Sequence, residues 1–402
     1  MQHLSVLVIH NRYQQPGGED AVVRAEVELL RSVGHKVVQY TRDNSEIATY
    51  SPLERASLAF STSWNRESYA DLGALILKER PEIAHCHNFL PLISPAAYYA
   101  CRSAGVPVVQ SLHNYRLFCP AGTLFNDGKR REQCLWSMTH GAFSRCYRNS
   151  RLQTATVSLM LAAHRIRGTW SNCVDAYIAP SRFCRDYFIT AGLPKDKVHL
   201  KSNFLARDPG VRTGEGDYAL FVGRFSAEKG VLETIEAWRD IPDIPLVLVG
   251  DGPLYHEAQR LAESCGGHIT LLGQLCPEET LARMKGARFL VFPSRWYEPF
   301  GMSLLEAAAC AVPAVASRIG AIPELVVHRR TGLLFDPDNF NELVEQVRWA
   351  WTHPSEMEDM GSAARQLYLQ QFTAEHNYES LTNIYRTLVA RASATDRKAA
   401  IV

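Results

Sequence analysis

Short apolar runs alternate with amphipathic stretches along most of the chain. In the first half, the apolar runs end in polar or glycine-containing turns, which is typical of buried strands. The predicted strands are 5–9, 36–40, 83–87, 106–112 and 175–179. The predicted helices are 20–33, 70–79, 96–104 and 181–191. This alternation predicts a parallel sheet covered by helices on both faces.

The same pattern restarts after a polar, glycine-rich stretch, 203–217. The second series of predicted strands is 218–222, 246–249, 269–272, 289–292 and 314–316. We therefore predict an α/β chain of two doubly wound, Rossmann-like domains facing across a ligand cleft at the carboxyl ends of their strands. The predicted domains are 1–205 and 206–374, followed by 375–402. In this last segment a helix at 375–390 is expected to pack toward the first domain, and the last dozen residues are expected to be frayed.

Composition is typical of a folded, water-exposed protein. The chain has 402 residues, 46% hydrophobic content and a formal net charge of +1, which excludes disordered and fibrous classes. It contains no run of about 18 apolar residues, and its start lacks a basic region and a cleavage site, so we expect a cytoplasmic protein. Ten scattered cysteines are more typical of reduced, buried thiols than of a disulfide framework.

The most informative segment is a strand-to-helix corner that carries two carboxylates, Glu298 and Glu306. The residues between them that open the helix are Pro299, Phe300, Gly301, Met302 and Ser303. Unpaired backbone amides and the helix dipole favour an anion at a helix start, so we predict that a phosphate or a sugar hydroxyl binds there. Both carboxylates could equally be ordinary solvated residues.

Two cations follow the first predicted strand of the second domain. Gly223 ends this strand, and Arg224 and Lys229 lie before the next helix. Arginine can bind a phosphate through two hydrogen bonds and lysine adds a point charge, so the pair is suited to a diphosphate. The chain has neither G-x-G-x-x-G nor a Walker A sequence, which disfavours a nicotinamide dehydrogenase or a P-loop enzyme.

Three further loops follow strands and are candidate ligand contacts. Gly17 and Gly18 precede the first predicted helix, where their amides could reach a phosphate or an acceptor. The remaining candidates are Gly250, Gly252, Gln274 and Leu275, which could wall a nucleotide base. All three loops could also be simple turns.

Several of these segments, taken in order, resemble a known enzyme family. They are 223–230, 249–253, 298–306 and 332–335. Their sequence and spacing resemble the group 1 (GT4-type) glycosyltransferases, which have the GT-B fold. The opening residues 10–13 and 17–20 resemble the bacterial members that build cell-surface polysaccharides.

The resemblance implies a retaining, metal-independent transfer of sugar from a nucleotide diphosphate sugar, with no cofactor. The donor is expected to be a UDP-sugar rather than a GDP-sugar, and the acceptor a glycan or a lipid-linked sugar. By this analogy Arg224 and Lys229 stabilise the departing diphosphate, Glu298 holds sugar hydroxyls, and Glu306 holds the ribose. His113 occupies a place where the family often has a histidine that faces the donor sugar.

The segment 114–167 is locally basic, with nine arginines and lysines against Asp127 and Glu132. This charge predicts either a solvated surface or contact with an anionic membrane surface through the 116–167 region, at the inner face of the membrane. Nucleic acid is a poorer interpretation, because no known binding module accompanies the charge. Cys119, Cys134, Cys146 and His140 could hold zinc, although compact Cys-x-x-Cys pairs are absent.

Two alternatives to a sugar transferase stay open. One is another GT-B enzyme, such as a sugar-nucleotide epimerase or a phosphorylase. The other is a non-catalytic nucleotide-sugar binding protein, which would bind the donor without turnover.

Overall fold

The structure is a computed structural model that describes residues 3–14, 17–136 and 145–399. For residues 56, 135–136 and 395–399 it describes the backbone alone. By contacts, the described chain divides into two compact units. Unit 1 comprises Met1–Leu124, Arg131–Ala206 and Ala374–Val402, and unit 2 comprises Phe125–Arg130 and Arg207–Thr373.

The strands, in chain order, are β1 Ser5–Arg12, β2 Lys36–Asp43, β3 Ile83–Asn88, β4 Val108–Ser111, β5 Phe125–Asn126, β6 Lys129–Arg130, β7 Ala176–Ala179, β8 Val198–Leu200, β9 Ala219–Val222, β10 Leu246–Val249, β11 Ile269–Gly273, β12 Phe289–Phe292, β13 Ala314–Ser317 and β14 Gly332–Phe335.

The α-helices are α1 Gly18–Ser32, α2 Glu46–Thr49, α3 Pro52–Ser61, α4 Arg66–Glu79, α5 Ala96–Ser103, α6 Gln133–Trp136, α7 Arg151–Ile166, α8 Thr169–Asn172, α9 Arg182–Thr190, α10 Val231–Ala237, α11 Tyr255–Glu263, α12 Pro277–Gly286, α13 Met302–Ala309, α14 Ile322–Leu325, α15 Phe340–Thr352, α16 Pro354–Gln371 and α17 Ala374–Ala399. Short 3₁₀ turns occur at Lys195–Lys197, Ala227–Lys229 and Trp238–Asp240.

Unit 1 is built on a six-stranded parallel sheet with the order β2-β1-β3-β4-β7-β8. Val23, Val27 and Leu30 recur at helical spacing on α1 and pack on β1 and β3. Leu381 and Tyr385 of α17 are fully buried in the same cluster. The last helix of the chain is therefore part of the hydrophobic core of the first unit.

Unit 2 contains a second six-stranded parallel sheet, with the order β11-β10-β9-β12-β13-β14. Its core includes the fully buried Trp238, Phe289 and Phe335. The direction of the strand order reverses between β9 and β12, which makes the carboxyl ends of these two strands the switch point of the sheet.

The prediction of two doubly wound parallel sheets is confirmed, but several details were wrong. Strands β8 and β14 and the 16-residue helix α7 were not predicted. Helix α17 continues to Ala399, so the prediction of a frayed last dozen residues is wrong as far as the structure describes them. No helix in the described part of the chain is long and apolar enough to span a membrane.

Candidate functional site

The carboxyl ends of β9 and β12 bring two predicted segments together at the switch point of unit 2. The strands are direct neighbours, with Ala219 opposite Phe289 and Phe221 opposite Val291. The loop after β9 carries Lys229, and the loop after β12 carries Glu298. Ligands of doubly wound sheets bind at this position, because the flanking loops diverge there and leave a crevice.

Glu298 and Lys229 are in direct contact. Lys229 Nζ donates to Glu298 Oε2 at 2.8 Å. Two hydrogen bonds of the same length reach this oxygen from Ser294 Oγ and Trp296 Nε1. The other oxygen, Oε1, has no hydrogen-bond partner among the described residues, although Glu298 is only 7% exposed. One carboxylate oxygen is thus held by the protein and the other can accept a bond from a ligand.

Two glycines allow close packing around the loops that carry Lys229 and Glu298. The sequence analysis did not single out either glycine as a site residue. Gly230 has φ +70°, and a Cβ there would lie 2.4 Å from Pro293 O. Gly320 has φ +58°, and its Cβ would lie 2.5 Å from Glu298 N. Ala321 N also donates to Glu298 O at 2.9 Å. The backbone of Glu298 is therefore fixed by a loop that follows the next strand, β13.

The predicted helix start is present as α13. Its N-cap, Gly301, has φ +126°, a left-handed conformation that favours glycine. Phe300 is buried and its ring meets Phe372 edge-on at 5.8 Å, so only its backbone is available to a ligand. Pro299 is buried as well, whereas Met302 and Ser303 are half-buried. The first amides of α13 have no intrahelical partner, and the predicted binding of an anion to them stays a prediction.

Glu306 lies on α13 and is half-buried. Burial raises its pKa to about 7. Its carboxyl group makes no hydrogen bond or ion pair with any described residue, so no described residue compensates this cost. An uncompensated buried carboxyl group is typical of a functional site.

The remaining predicted contacts of unit 2 lie on adjacent loops at the same sheet edge. Arg224 is exposed and has no bonded partner among the described residues. A Cβ at Gly250 would lie 1.9 Å from Gly223 O, and one at Gly252 would lie 2.6 Å from Phe225 O. Packing between loops therefore requires both glycines, whatever the ligand. Gly250 N also bonds Gly273 O at 2.8 Å, which places Gln274 (exposed) and Leu275 (half-buried) next to them.

Gly17 does not have the role that the sequence predicted for its amide. Its N–H donates to Asp20 Oδ2 at 3.1 Å and caps α1, so this amide is not free to bind a phosphate. A Cβ at Gly17 would meet no atom within 4 Å, so close packing does not require glycine there. Gly18 is exposed at the first position of α1, and its predicted role stays a prediction.

His113 follows β4 and lines a recess within unit 1. The recess has about 300 Å³ of empty space, part of it open solvent, and Asn114 and Arg116 also line it. His113 Nε2 lies 3.0 Å from Nδ1 of His87, which the sequence did not single out. Burial lowers the pKa of His113 to about 3, so its imidazole is neutral near pH 7.

The basic segment is not a uniform charged face. Arg130 is ion-paired with Asp338 in unit 2. The guanidinium groups of Arg116 and Arg165 lie over the rings of Tyr147 and Phe118, each at 5.6 Å. The predicted contact with an anionic surface therefore stays a prediction.

The predicted zinc site is only partly within the described chain. Cys119 and Cys134 are joined by a thiol hydrogen bond, which lowers the pKa of Cys119. His140 lies outside the described residues. The side chains that do come within metal-ligand distance of one another, in the ranges described, are Glu26, His85 and His87 of unit 1. Lys201 already forms an ion pair with Glu26 there, so the charge that a metal ion would bring is supplied by the chain.

Solved structures identify the class of fold. The HepE protein of Anabaena aligns with a TM-score of 0.67 over 96% of this chain and 100% of its own, at 18% identity. It has been solved in complex with UDP and with UDP-glucose. With two doubly wound units, this likeness defines a protein of the GT-B fold.

Family comparisons then identify the group. Residues 16–206 match the family described as Glycosyltransferase Family 4, and residues 205–367 match Glycosyl transferases group 1. The chain belongs to the group 1, GT4-type glycosyltransferases. The resemblance seen in the sequence is thereby confirmed.

Curated relatives include two bacterial sugar transferases. A D-rhamnosyltransferase of Pseudomonas aeruginosa is 36% identical over 160 residues, which cover 39% of this chain and 42% of the relative. The O-antigen chain mannosyltransferase C of Escherichia coli is 30% identical over 226 residues, which cover 54% and 60%. The chain spans between 38% and 60% of the length of the first three relatives it matches.

Proposed function

We propose that the chain is a retaining, metal-independent glycosyltransferase. It moves a sugar from a nucleotide diphosphate sugar to a glycan or lipid-linked acceptor during cell-surface polysaccharide synthesis. A UDP-sugar is favoured over a GDP-sugar as the donor. The family supports sugar transfer, and the HepE complexes with UDP and UDP-glucose favour uridine in the donor.

The observation that carries the proposal is the contact between Lys229 and Glu298 at the switch point of unit 2. Glu298 Oε1 is positioned to accept a bond from a sugar hydroxyl, because Oε2 is held by three donors. Lys229 uses one of its three N–H donors on Glu298 and keeps the others for a phosphate. Arg224 is exposed at the end of the neighbouring strand and adds a second charge.

These groups suit a reaction in which the leaving diphosphate gains charge. Arg224, Lys229 and the free amides of α13 stabilise this charge, as positioned donors and dipoles do in other transfer reactions. The acceptor hydroxyl then attacks the oxocarbenium-like sugar from the face that the diphosphate leaves. Glu298 orients the sugar through Oε1 and forms no covalent intermediate in this mechanism.

Product analysis tests this proposal. We would screen UDP- and GDP-sugars by thermal shift, then incubate the best donor with candidate acceptors and 10 mM EDTA, about a thousandfold above the protein. Transfer with the donor's anomeric configuration retained is the expected result. An epimerised donor without acceptor, or binding without turnover, would instead favour the two alternative classes.

We also propose that unit 1 contacts an anionic bilayer through an apolar stripe on α3 and α7. Leu152, Leu159 and Ile166 recur every seven residues on α7 and are 78%, 68% and 77% exposed. Leu53 and Phe60 have the same spacing on α3 and are 84% and 82% exposed. Arg151 and Arg167 at the ends of α7 are exposed as well. An exposed apolar stripe flanked by arginine is typical of a helix that lies on anionic lipid.

Vesicle co-sedimentation tests this contact. The wild-type protein is expected to sediment with phosphatidylglycerol vesicles at low salt and to remain in solution with phosphatidylcholine alone. L152S/L159S/I166S is expected to lose most of this binding. Leu77→Ser, which removes a 77% exposed leucine from α4, is the matched control. Equal binding by the triple variant and the wild type would refute the contact.

A further inference from the structure

A row of buried imidazoles leads from α1 to the recess at His113. His85 and His87 are two residues apart on β3, so their side chains lie on the same face of the sheet. Their ring centroids are 4.1 Å apart, and the ring of His87 in turn lies nearly parallel to that of His113, with centroids 5.3 Å apart. None of these contacts is needed for the donor site of unit 2, so the row requires an explanation of its own.

Glu26 provides a fixed negative charge at the inner end of this row. It is 2% exposed, and Lys201 donates to its Oε1. Burial alone would raise its pKa, but Lys201 and His85 outweigh burial and lower it. Oε2 has no hydrogen-bond partner among the described residues and lies 3.6 Å from His87 Nε2 and 3.7 Å from His85 Nδ1. An ionised carboxylate only accepts, so an N–H on His87 Nε2 is favoured over a bare nitrogen facing this oxygen.

This electrostatic preference selects the nitrogen of His87 that carries its proton. With Nε2 protonated, the N–H points at the carboxylate, whereas a bare Nε2 would place two lone pairs against each other. His85 imposes no such choice, because its nitrogens bond the hydroxyls of Ser111 and Tyr385, and hydroxyls both donate and accept. A neutral imidazole has one N–H, so His87 Nδ1 is the acceptor in its 3.0 Å bond with His113.

The tautomer of His87 determines the tautomer of His113. Its Nε2 must donate to His87, which leaves Nδ1 without a proton. Nδ1 has no bonded partner among the described residues, and His113 lines the recess. A ligand group that meets this nitrogen must therefore donate a hydrogen bond, as a sugar hydroxyl does and a phosphate oxygen does not.

We propose that Glu26, acting through His87, sets the tautomer of His113 so that Nδ1 accepts a hydrogen bond from a hydroxyl of the sugar substrate. Glu26 and His87 are positioning residues, since neither touches the substrate. The identity of the ligand rests on the proposed function, whereas the tautomer follows from the contacts of unit 1 alone.

Nuclear magnetic resonance of the full chain with ¹⁵N-labelled histidine tests the tautomer directly. Protonated and bare ring nitrogens resonate in separate ranges, and spectra of His87→Gln and His113→Gln assign the two rings. The expected wild-type result at pH 7.5, more than four pH units above the pKa of His113, is a proton on Nε2 of both rings. A proton on His113 Nδ1 in the wild-type protein would overturn the proposal, even if no variant folds.

Glu26→Gln offers a sharper test. Lys201 still requires an acceptor, so the glutamine oxygen faces Lys201 and its NH₂ group faces His87 Nε2. Both tautomers are then expected to reverse, with His113 protonated on Nδ1. Transfer activity, kcat/KM, is expected to fall about five- to tenfold, as when one oriented hydrogen bond is lost. Glu28→Gln, exposed on the same helix, is the control and should change neither the spectrum nor the activity.

The outcomes separate this proposal from the proposed function. If Glu26→Gln folds and the tautomers do not reverse, the role of Glu26 is refuted. If the tautomers are as expected but no nucleotide sugar is turned over, the glycosyltransferase proposal fails and the histidine arrangement stands. If sugar is transferred while His113 carries its proton on Nδ1, the tautomer proposal fails and the glycosyltransferase proposal stands.

Discussion

Glu298 and Lys229 carry most of the proposed donor site at the scale of single residues. The sequence predicted both as ligand contacts, because each lies just beyond the end of a predicted strand. It did not predict that they touch each other, or that Ser294 and Trp296 bind the same oxygen. A contact between residues 69 positions apart depends on the order of strands in the sheet, which local sequence patterns do not determine.

Glu298→Ala is expected to abolish turnover while UDP still binds. The side chain positions the sugar in the proposed mechanism, whereas the nucleotide is held by other groups. Calorimetry with UDP and a transfer assay measure the two effects. Turnover at the wild-type rate would refute the role of Glu298.

Glu306 predicts a pH dependence of donor binding. Its pKa is raised to about 7 by burial, and the ionised form is the one that accepts bonds from ribose hydroxyls. Protons therefore compete with the donor, and the Kd for UDP-glucose should rise by up to about tenfold per pH unit as the pH falls below 7. Calorimetry at pH 8, 7 and 6 measures this change, because UDP-glucose itself does not titrate there. Glu306→Gln should remove this pH dependence of the Kd. An equally steep dependence in the variant would show that a group other than Glu306 causes it.

At the scale of elements, buried strands were predicted well because their apolar runs are short, continuous and closed by turn residues. The missed elements have physical reasons too. Helix α7 has exposed leucines between its buried positions, so its pattern resembles neither an ordinary amphipathic helix nor a loop. The two-residue strands β5 and β6 pair only with each other, as a hairpin. Arg130 of this hairpin donates a hydrogen bond to Arg295 O at 3.2 Å.

Gly320→Ala is expected to destabilise the loop that holds Glu298. A side chain at φ +58° costs about 1–2 kcal/mol, and the new Cβ would also lie 2.5 Å from Glu298 N. We expect a loss of about 3 kcal/mol in the free energy of unfolding by urea, together with loss of turnover. Gly266→Ala, at φ +95° with no atom within 4 Å, shares the backbone cost without the contact. Equal losses in both variants would contradict the role of Gly320.

At the scale of the whole molecule, the composition of the two units was only partly predictable. The sequence indicated two domains from the restart of the strand pattern. It could not show that residues 125–130 group with the second unit, since this depends on side-chain contacts between distant segments. The apolar face of α17 could be read from its sequence, but its place among the residues of β1 and β3 required the structure.

Truncation after Thr373 is expected to unfold unit 1. It removes the buried Leu381 and Tyr385, together with the 2.6 Å bond between Tyr385 and His85. Limited proteolysis of unit 1 measures the effect. Truncation after Ala394 keeps every one of these contacts and serves as the control. Equal protease resistance of both truncated chains would show that α17 is not required.

The central claim is that Lys229, paired with Glu298, binds the diphosphate of a nucleotide sugar. The most direct test is calorimetry of UDP-glucose with the wild-type protein, with Lys229→Ala and with Arg260→Ala, which removes an exposed charge from α11. We predict that Lys229→Ala raises the Kd about ten- to a hundredfold, as expected for loss of a charge-assisted hydrogen bond, while the chain stays folded. Arg260→Ala should bind as the wild type does. An unchanged Kd in Lys229→Ala would contradict the assignment of the donor site.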